Sequence, residues 1–176
     1  MKRRSFLKSS FILSSSVLIP ENFLYNNKPN LKVGIIADVH QDIIFDGTKR
    51  IKKFLKDANK FNVDFVIQLG DFALPRKVNQ KFINSWNNYK GLKYHVLGNH
   101  DMVDFGYKKD ETMDWWGMNK RYYSFDKGGL HFIILDGNDK NPGDWNEYYY
   151  RYIGTEQQNW LKNDLRNTKL PVIIFS

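Results

Sequence analysis

Val33-Gly34-Ile35-Ile36-Ala37 runs without a polar side chain and ends in Asp38-Val39-His40. The same event recurs twice. Phe65-Val66-Ile67-Gln68-Leu69 ends in Gly70-Asp71, and Tyr94-His95-Val96-Leu97 ends in Gly98-Asn99-His100-Asp101. Short apolar runs bounded by turn residues read as buried strands. Each is therefore followed by a loop carrying oxygen or imidazole donors. In an open α/β sheet such loops share the edge at which ligands bind. Aspartate, histidine and asparagine converging there suit a divalent-metal site that performs hydrolysis. No member of the set is specific alone: Asp-x-His is an ordinary solvated loop, and Gly-Asp is common in turns. Their order, each after a strand, carries the reading.

Between the strands the pattern becomes helical. Over Thr48–Asn62, Ile51, Phe54, Leu55, Ala58 and Phe61 recur at helical spacing with lysines between them. Lys77–Tyr89 places Phe82, Ile83 and Trp86 on one face. Strand, helix, strand, helix, strand predicts a parallel sheet with crossover helices. Further on, Asp110–Trp116 reads as a short helix. Arg121–Phe125 and Leu130–Leu135 read as strands joined by the tight turn Asp126-Lys127-Gly128-Gly129. Asp136–Ile153 is a polar and aromatic loop. Thr155 opens a helix with Gln158 as its capping-box partner and Trp160, Leu161 and Leu165 as its buried face. Pro171–Ser176 is a last apolar strand.

The set Asp-x-His, Gly-Asp, Gly-Asn-His-Asp, in that order, resembles the calcineurin-like metallophosphoesterases, from about Leu31 to the last residue. The resemblance implies an α/β fold, a two-sheet α/β/β/α sandwich. It implies a metal-dependent hydrolase of phosphoesters or phosphoanhydrides, with two divalent ions (Mn, Fe or Zn) and a metal-bridging hydroxide as nucleophile. It assigns Asp38, His40, Asp71 and Asn99 as metal ligands, with Asp71 as the bridge. His100 would contact the phosphoryl oxygen or protonate the leaving group, and Asp101 beside it would orient backbone or a neighbour. Many phosphatases of the group place a further Asp after Gly-Asp to pair with that His; Leu74 stands there in this chain. Tyr122-Tyr123-Ser124-Phe125 to Leu135-Asp136, followed by Glu156-Gln157-Gln158-Asn159-Trp160-Leu161, looks most similar to the branch of cyclic-nucleotide phosphodiesterases and manganese-dependent ADP-ribose/CDP-alcohol diphosphatases. That points to a phosphorylated, nucleotide-like small molecule as partner. In the resembled family the last strand is followed by a metal-binding His and a later Gly-His-x-His; neither is in this sequence. The expectation is therefore a domain over residues 31–176 that is incomplete at its C-terminus. The alternative from another class is a non-catalytic metal- or partner-binding piece of a larger protein.

Composition bounds the rest. The 176 residues fit one domain, with 41% hydrophobic and 16% aromatic residues to fill a core. There is no cysteine, so disulfides, thiolate catalysis and Cys-ligated metals are excluded. Four of the 27 basic residues and none of the 19 acidic ones lie in residues 1–20, so the net charge of +8 falls to +4 without that segment. Such a balance is no evidence for specific nucleic-acid binding. Residues 1–20 join a basic start to an apolar, serine-rich run from Phe11 to Ile19, which is too short to span a bilayer. Arg3-Arg4-Ser5-Phe6-Leu7-Lys8 looks like a twin-arginine export motif, with an ordinary secretory signal as the alternative. The expectation is export to the periplasm or beyond without a stable membrane anchor. Residues 21–30 would be a linker.

Other residues invite two readings each. His95 and His131 lie within strands and read as packed or surface histidines. Trp115, Trp116, Tyr122 and Tyr123 could wall a substrate or fill the core. Tyr148-Tyr149-Tyr150 could be a lip of the site or a packed loop. Lys108, Lys109 and Arg121 could attract phosphate or simply be solvated.

Overall fold

The computed structural model describes residues 30–102, 106–143 and 151–176. The expected export signal, all of the expected linker but its last residue, and Tyr148 to Tyr150 lie outside the described residues.

Two three-stranded sheets form the body. The first holds β1 (Val33–Ile36), β2 (Phe65–Leu69) and β3 (Leu92–Val96), parallel and in that order. The crossovers carry helix α1 (Gly47–Phe61) and a 3-10 turn at Lys77–Asn79 that leads into α2 (Gln80–Asn87). A third helix, α3 (Lys109–Trp116), follows the third strand–loop unit. The second sheet pairs β4 (Tyr123–Lys127) with β5 (Leu130–Ile134) in antiparallel fashion, and β5 with β6 (Val172–Phe175) in parallel. Helix α4 (Thr155–Asn167) supplies the β5-to-β6 crossover.

Two apolar cores define the layers. Ile51, Leu55, Phe72, Phe82, Ile83 and Trp86 fill the space between the helices and the first sheet. Phe65, Ile67 and Val96 meet Phe132 and Ile134 between the two sheets. With α4 on the outer face of the second sheet, this is the expected α/β/β/α sandwich. β2 is buried on both faces, as its near-continuous apolar run requires. The turn between β4 and β5 has Gly128 at φ 59° and Gly129 at φ 78°. That double left-handed turn matches the twist of a two-residue hairpin, and β-carbons resist it.

Three expectations are corrected. β1 is not covered on both faces: it is an outer strand among those described, and Ile35 is 50% exposed. At β6 Val172, Ile173 and Ile174 are exposed, as an apolar last strand at the edge of the described sheet leaves them. The capping box at Thr155 does not form. The N-cap is Gly154, and the Gln158 amide donates to the Ile153 carbonyl and to the Tyr152 hydroxyl instead. The face of α4 that buries is polar: Gln157 is fully buried, its amide exchanging hydrogen bonds with the backbone of Asp136, while Leu165 is 39% exposed. A helix laid over a strand end that still holds open backbone groups needs polar side chains there.

Candidate metal centre

All the motif residues fall at the C-terminal edge of the parallel sheet, and backbone hydrogen bonds lace their loops together. Asp38, His40 and Gln41 donate their N–H groups to the carbonyls of Gly70, Asp71 and Phe72. The first loop is thereby zipped along the second. Asp101 joins the second loop to the third. Its Oδ1 accepts the N–H groups of Phe72 (2.6 Å) and Ala73 (3.1 Å), and its Oδ2 that of Gly98 (2.9 Å). Burial pushes the Asp101 carboxyl well above the usual carboxylate range, against the pull of those three donors. It is fully buried beneath the loops, so it orients backbone and does not face a substrate.

On this frame Asp38, His40 and Asp71 bring one donor atom each to within 4.8 Å of one another. His40 Nε2 lies 3.5 Å from Asp71 Oδ2 and 3.8 Å from Asp38 Oδ1. The other Asp71 oxygen accepts the His100 N–H at 3.1 Å. The His100 ring meets the His40 ring edge-on at 5.2 Å. Asn99 opens the 3-10 turn Asn99–Asp101 and lines the same cleft as Asp38 and Asp71. Two carboxylates, an imidazole and an amide oxygen are the donor set of a borderline-to-hard divalent ion. Carboxylates brought this close without a cation between them would repel one another, so the set fits a metal.

Backbone conformation marks the same residues. Among the described residues, four that are not glycine have positive φ: Asp38 at 51°, His40 at 48°, Asp71 at 51°, and Asn62 at a helix C-terminus. The left-handed region costs a residue with a β-carbon roughly 1–2 kcal/mol. Three of the four are therefore strained where three donors converge, and strain held by surrounding structure concentrates at functional sites. Glycines create the room. A β-carbon on Gly70 would lie 2.7 Å from the Gly98 Cα, and one on Gly98 would run into Asp71.

The cleft has a volume of about 420 Å³. Its far wall, Asn138, Arg151 and Tyr152, was not singled out in the sequence. Asn138 is fixed by donating to the Leu97 carbonyl at 2.8 Å and by the Asp136 carboxylate. Lys109 and Arg121, read as possible phosphate attractors, are committed elsewhere. Each bonds both Asp136 and Asp139 at 2.7–2.9 Å, and the quartet braces the loop that carries Asn138. Burial opposes the charge on Asp139, but hydrogen bonds from Lys109 and Arg121 outweigh it and lower its pKa. Asp42 was missed as well. It holds the second loop through the Leu74 N–H and the Asn79 amide, at 2.7 Å each. Gln68 was not singled out either, although being the one polar residue in the β2 run was a signal that could have found it. It is fully buried, bonding the Gly70 N–H and the Val96 carbonyl beneath the motif loops.

Leu74 is buried to 1% exposure and gives His100 no carboxylate. Of the aromatics that the sequence left between wall and core, three pack within the fold. Trp116 stacks on His95 in the core, and Tyr123 bridges the sheets by hydrogen bonding both the N–H and the carbonyl of His95. Tyr122 packs on Trp160. Burial takes the pKa of His95 down to about 3, and its Nε2 accepts from the Trp86 indole.

The family model for calcineurin-like phosphoesterases matches residues 31–176. No curated protein matches the chain. Among solved structures, a dimetal phosphatase from Danio rerio superposes with a TM-score of 0.65 at 15% identity, over 85% of this chain and 70% of that one. A protein of unknown function from Aquifex aeolicus matches with a TM-score of 0.40 at 16% identity, over 82% of this chain and 89% of that one.

Proposed function

The chain belongs to the calcineurin-like phosphoesterase family, and on that premise we propose that it is a metal-dependent hydrolase of phosphoesters or phosphoanhydrides. One observation carries the reading: Asp38, His40 and Asp71 present donor atoms within 4.8 Å of one another, each on a left-handed backbone at the sheet edge where ligands bind. Asp38, His40 and Asp71 would hold one divalent ion, with Asp71 shared toward a second ion held by Asn99. When bound, such a pair supplies positive charge to stabilise phosphoryl oxygens and acidifies water to a nucleophile at neutral pH.

The chain's own residues do the rest. The Asp71 carboxylate is oriented by the His100 N–H on one oxygen, leaving the other toward His40. The His100 ring, 5.2 Å from that of His40, would donate to a phosphoryl oxygen or a leaving group. Arg151 and Tyr152 on the opposite wall offer a cation and a phenol to the rest of an anionic substrate. A nucleotide-like diester or diphosphate has the second anionic group and flat ring that such a wall accommodates.

The test is hydrolysis of a bis(nitrophenyl) phosphate diester and of a dinucleotide-type diphosphate by the full chain, with manganese, iron or zinc. Activity that chelation removes and metal restores is the expected result. Turnover that survives complete chelation would overturn the proposal.

A further inference from the structure

The net charge of the chain hides an asymmetry that the fold turns into a surface. The segments 47–63 and 72–100 hold eleven Lys and Arg residues against a single acid, Asp57, an excess larger than the +8 of the whole chain. Eight of the eleven, and the one acid, lie on α1, on α2 and on the turn that leads into α2, the helical layer on the outside of the first sheet, while Arg76 and Lys90 lie in loops and Lys93 on β3. Helical periodicity sorts their charges outward. Ile51, Leu55 and Ala58 take the buried stripe of α1, so Lys49, Lys52, Lys53, Lys56 and Lys60 are left exposed along the whole helix. On α2, Phe82, Ile83 and Trp86 are buried, and Lys81 stays outside, with Lys77 exposed in the preceding turn. Asp57 pairs with Lys53 at 2.6 Å and offsets one of these charges. Between the helices runs an open groove in which Lys52, Lys56 and Lys81 come together with the amides of Asn59, Gln80 and Asn84.

We propose that this α1–α2 face docks reversibly on an anionic lipid bilayer. Charge complementarity selects a polyanion, and three features select a plane of phosphate headgroups over a nucleic acid. The exposed cations of α1 and α2 are lysines on flexible stems, which meet phosphates as point charges; the one arginine of α1, Arg50, is turned inward to the Val39 carbonyl, and Arg76, in the loop before the 3-10 turn, donates to the Tyr107 hydroxyl. The groove offers no aromatic platform for bases, since its only ring, Tyr89, is 7% exposed. Two apolar side chains stand exposed on the same layer, Phe61 at the end of α1 and Val78 in the turn before α2, at 60% and 79%. They suit the interface between headgroups and acyl chains. Lysines near an anionic membrane surface attract it within a Debye length, so binding is salt-sensitive. The catalytic cleft lies at the sheet edge and is not part of this face.

The experiment is co-sedimentation of the full chain with phosphatidylcholine vesicles, with and without phosphatidylserine, at low and at physiological salt. Binding that needs phosphatidylserine and weakens with salt is expected. A triple variant, Lys52→Glu, Lys56→Glu and Lys81→Glu, should lose more than about tenfold in vesicle affinity while keeping its thermal melt. A control with the same charge change elsewhere, Lys120→Glu, Lys162→Glu and Lys169→Glu, should bind nearly as the parent. Equal loss in both variants would mean that net charge acts and not this face. Unchanged binding in the first variant would place the contact elsewhere, the basic N-terminal segment included. Tighter binding to single- or double-stranded oligonucleotides at the same salt would assign the face to nucleic acid. Each of these three results overturns the proposal.

Discussion

Asp38, His40 and Asp71 each sit in a backbone region their side chains disfavour, and each is held there by a cross-loop hydrogen bond. Residues that accept such strain do so because the surrounding structure over-determines them. At Asp71 the consequence can be tested with one atom. Asp71→Asn keeps the size and the acceptor for the His100 N–H but removes the charge. It should fold, and its hydrolysis should fall by more than the roughly 10–100-fold that loss of a mere outer-shell partner costs. Steady-state rates with manganese check this; near-parental activity would mean that Asp71 holds no ion. Gly98→Ala tests the frame instead of the ligand. Its β-carbon would run into Asp71, so the donor set should spread. Activity should fall about a hundredfold or more, since small displacements of reacting groups cost that much. Much of this was legible in the sequence, because ligand identity and the glycines beside them are local signals. Asn138, Asp42 and Arg151 were not, because each reaches the cleft or its loops through chain distant in sequence.

Among the elements, the strands with unbroken apolar runs formed where the sequence placed them, and β2 matched residue for residue. Periodicity reports burial within an element, but not how many neighbours the element acquires. So β1 reads as a core strand yet lies at a sheet edge among the described strands, with Ile35 exposed. Helix α4 formed from Thr155 as expected, but its buried face was misjudged for a different reason. Its anchors are polar, Gln157 to Asp136 and Asp164 to His131 and Ser124, and hydrophobic spacing does not report them. His131 is clamped by Asp164 at 2.8 Å on one side and Asp126 at 2.6 Å on the other. Burial opposes its charge, but the two carboxylates outweigh burial and raise its pKa. His95 shifts the other way, down to about 3 by burial. Their signs are opposite. Above the unfolded value of about 6.5 the native state holds the extra proton on His131, so stability falls as pH rises through its folded pKa. Below about 6.5 the unfolded state takes a proton that native His95 refuses, so stability falls as pH drops toward 3. These two groups alone give a stability maximum near pH about 6.5. Thermal melts across pH should show both limbs, and His131→Gln should flatten the alkaline limb only. A His131→Gln profile that keeps its alkaline slope would show that the clamp does not set it.

At the scale of the whole molecule, the parallel sheet was legible because alternating strands and helices admit few right-handed arrangements, whereas the two-sheet sandwich came from the resemblance to the family. What joins its halves is physical and non-local: Phe65, Ile67 and Val96 against Phe132 and Ile134 between the sheets, and the ion quartet behind the cleft. This body holds the donor loops at a fixed edge before any ion arrives. Metal binding and folding stability are therefore linked, because an ion that binds the native donor set and not the unfolded chain stabilises by mass action. At a hundredfold excess over its dissociation constant the gain is about 2.7 kcal/mol. For a chain of this size each 1 kcal/mol moves the midpoint by roughly 2–4 °C. Protein stripped with chelator should therefore gain about 5–10 °C in Tm on adding the correct ion among manganese, iron and zinc. Asp71→Asn should show little of that gain while melting near the parental temperature in chelator. This readout does not depend on turnover, so it separates a site that binds metal without catalysis from one that does neither. A rise of equal size in the parent and in Asp71→Asn would locate the ions away from the sheet edge. No rise with any of the three would remove the metal from the account of this site.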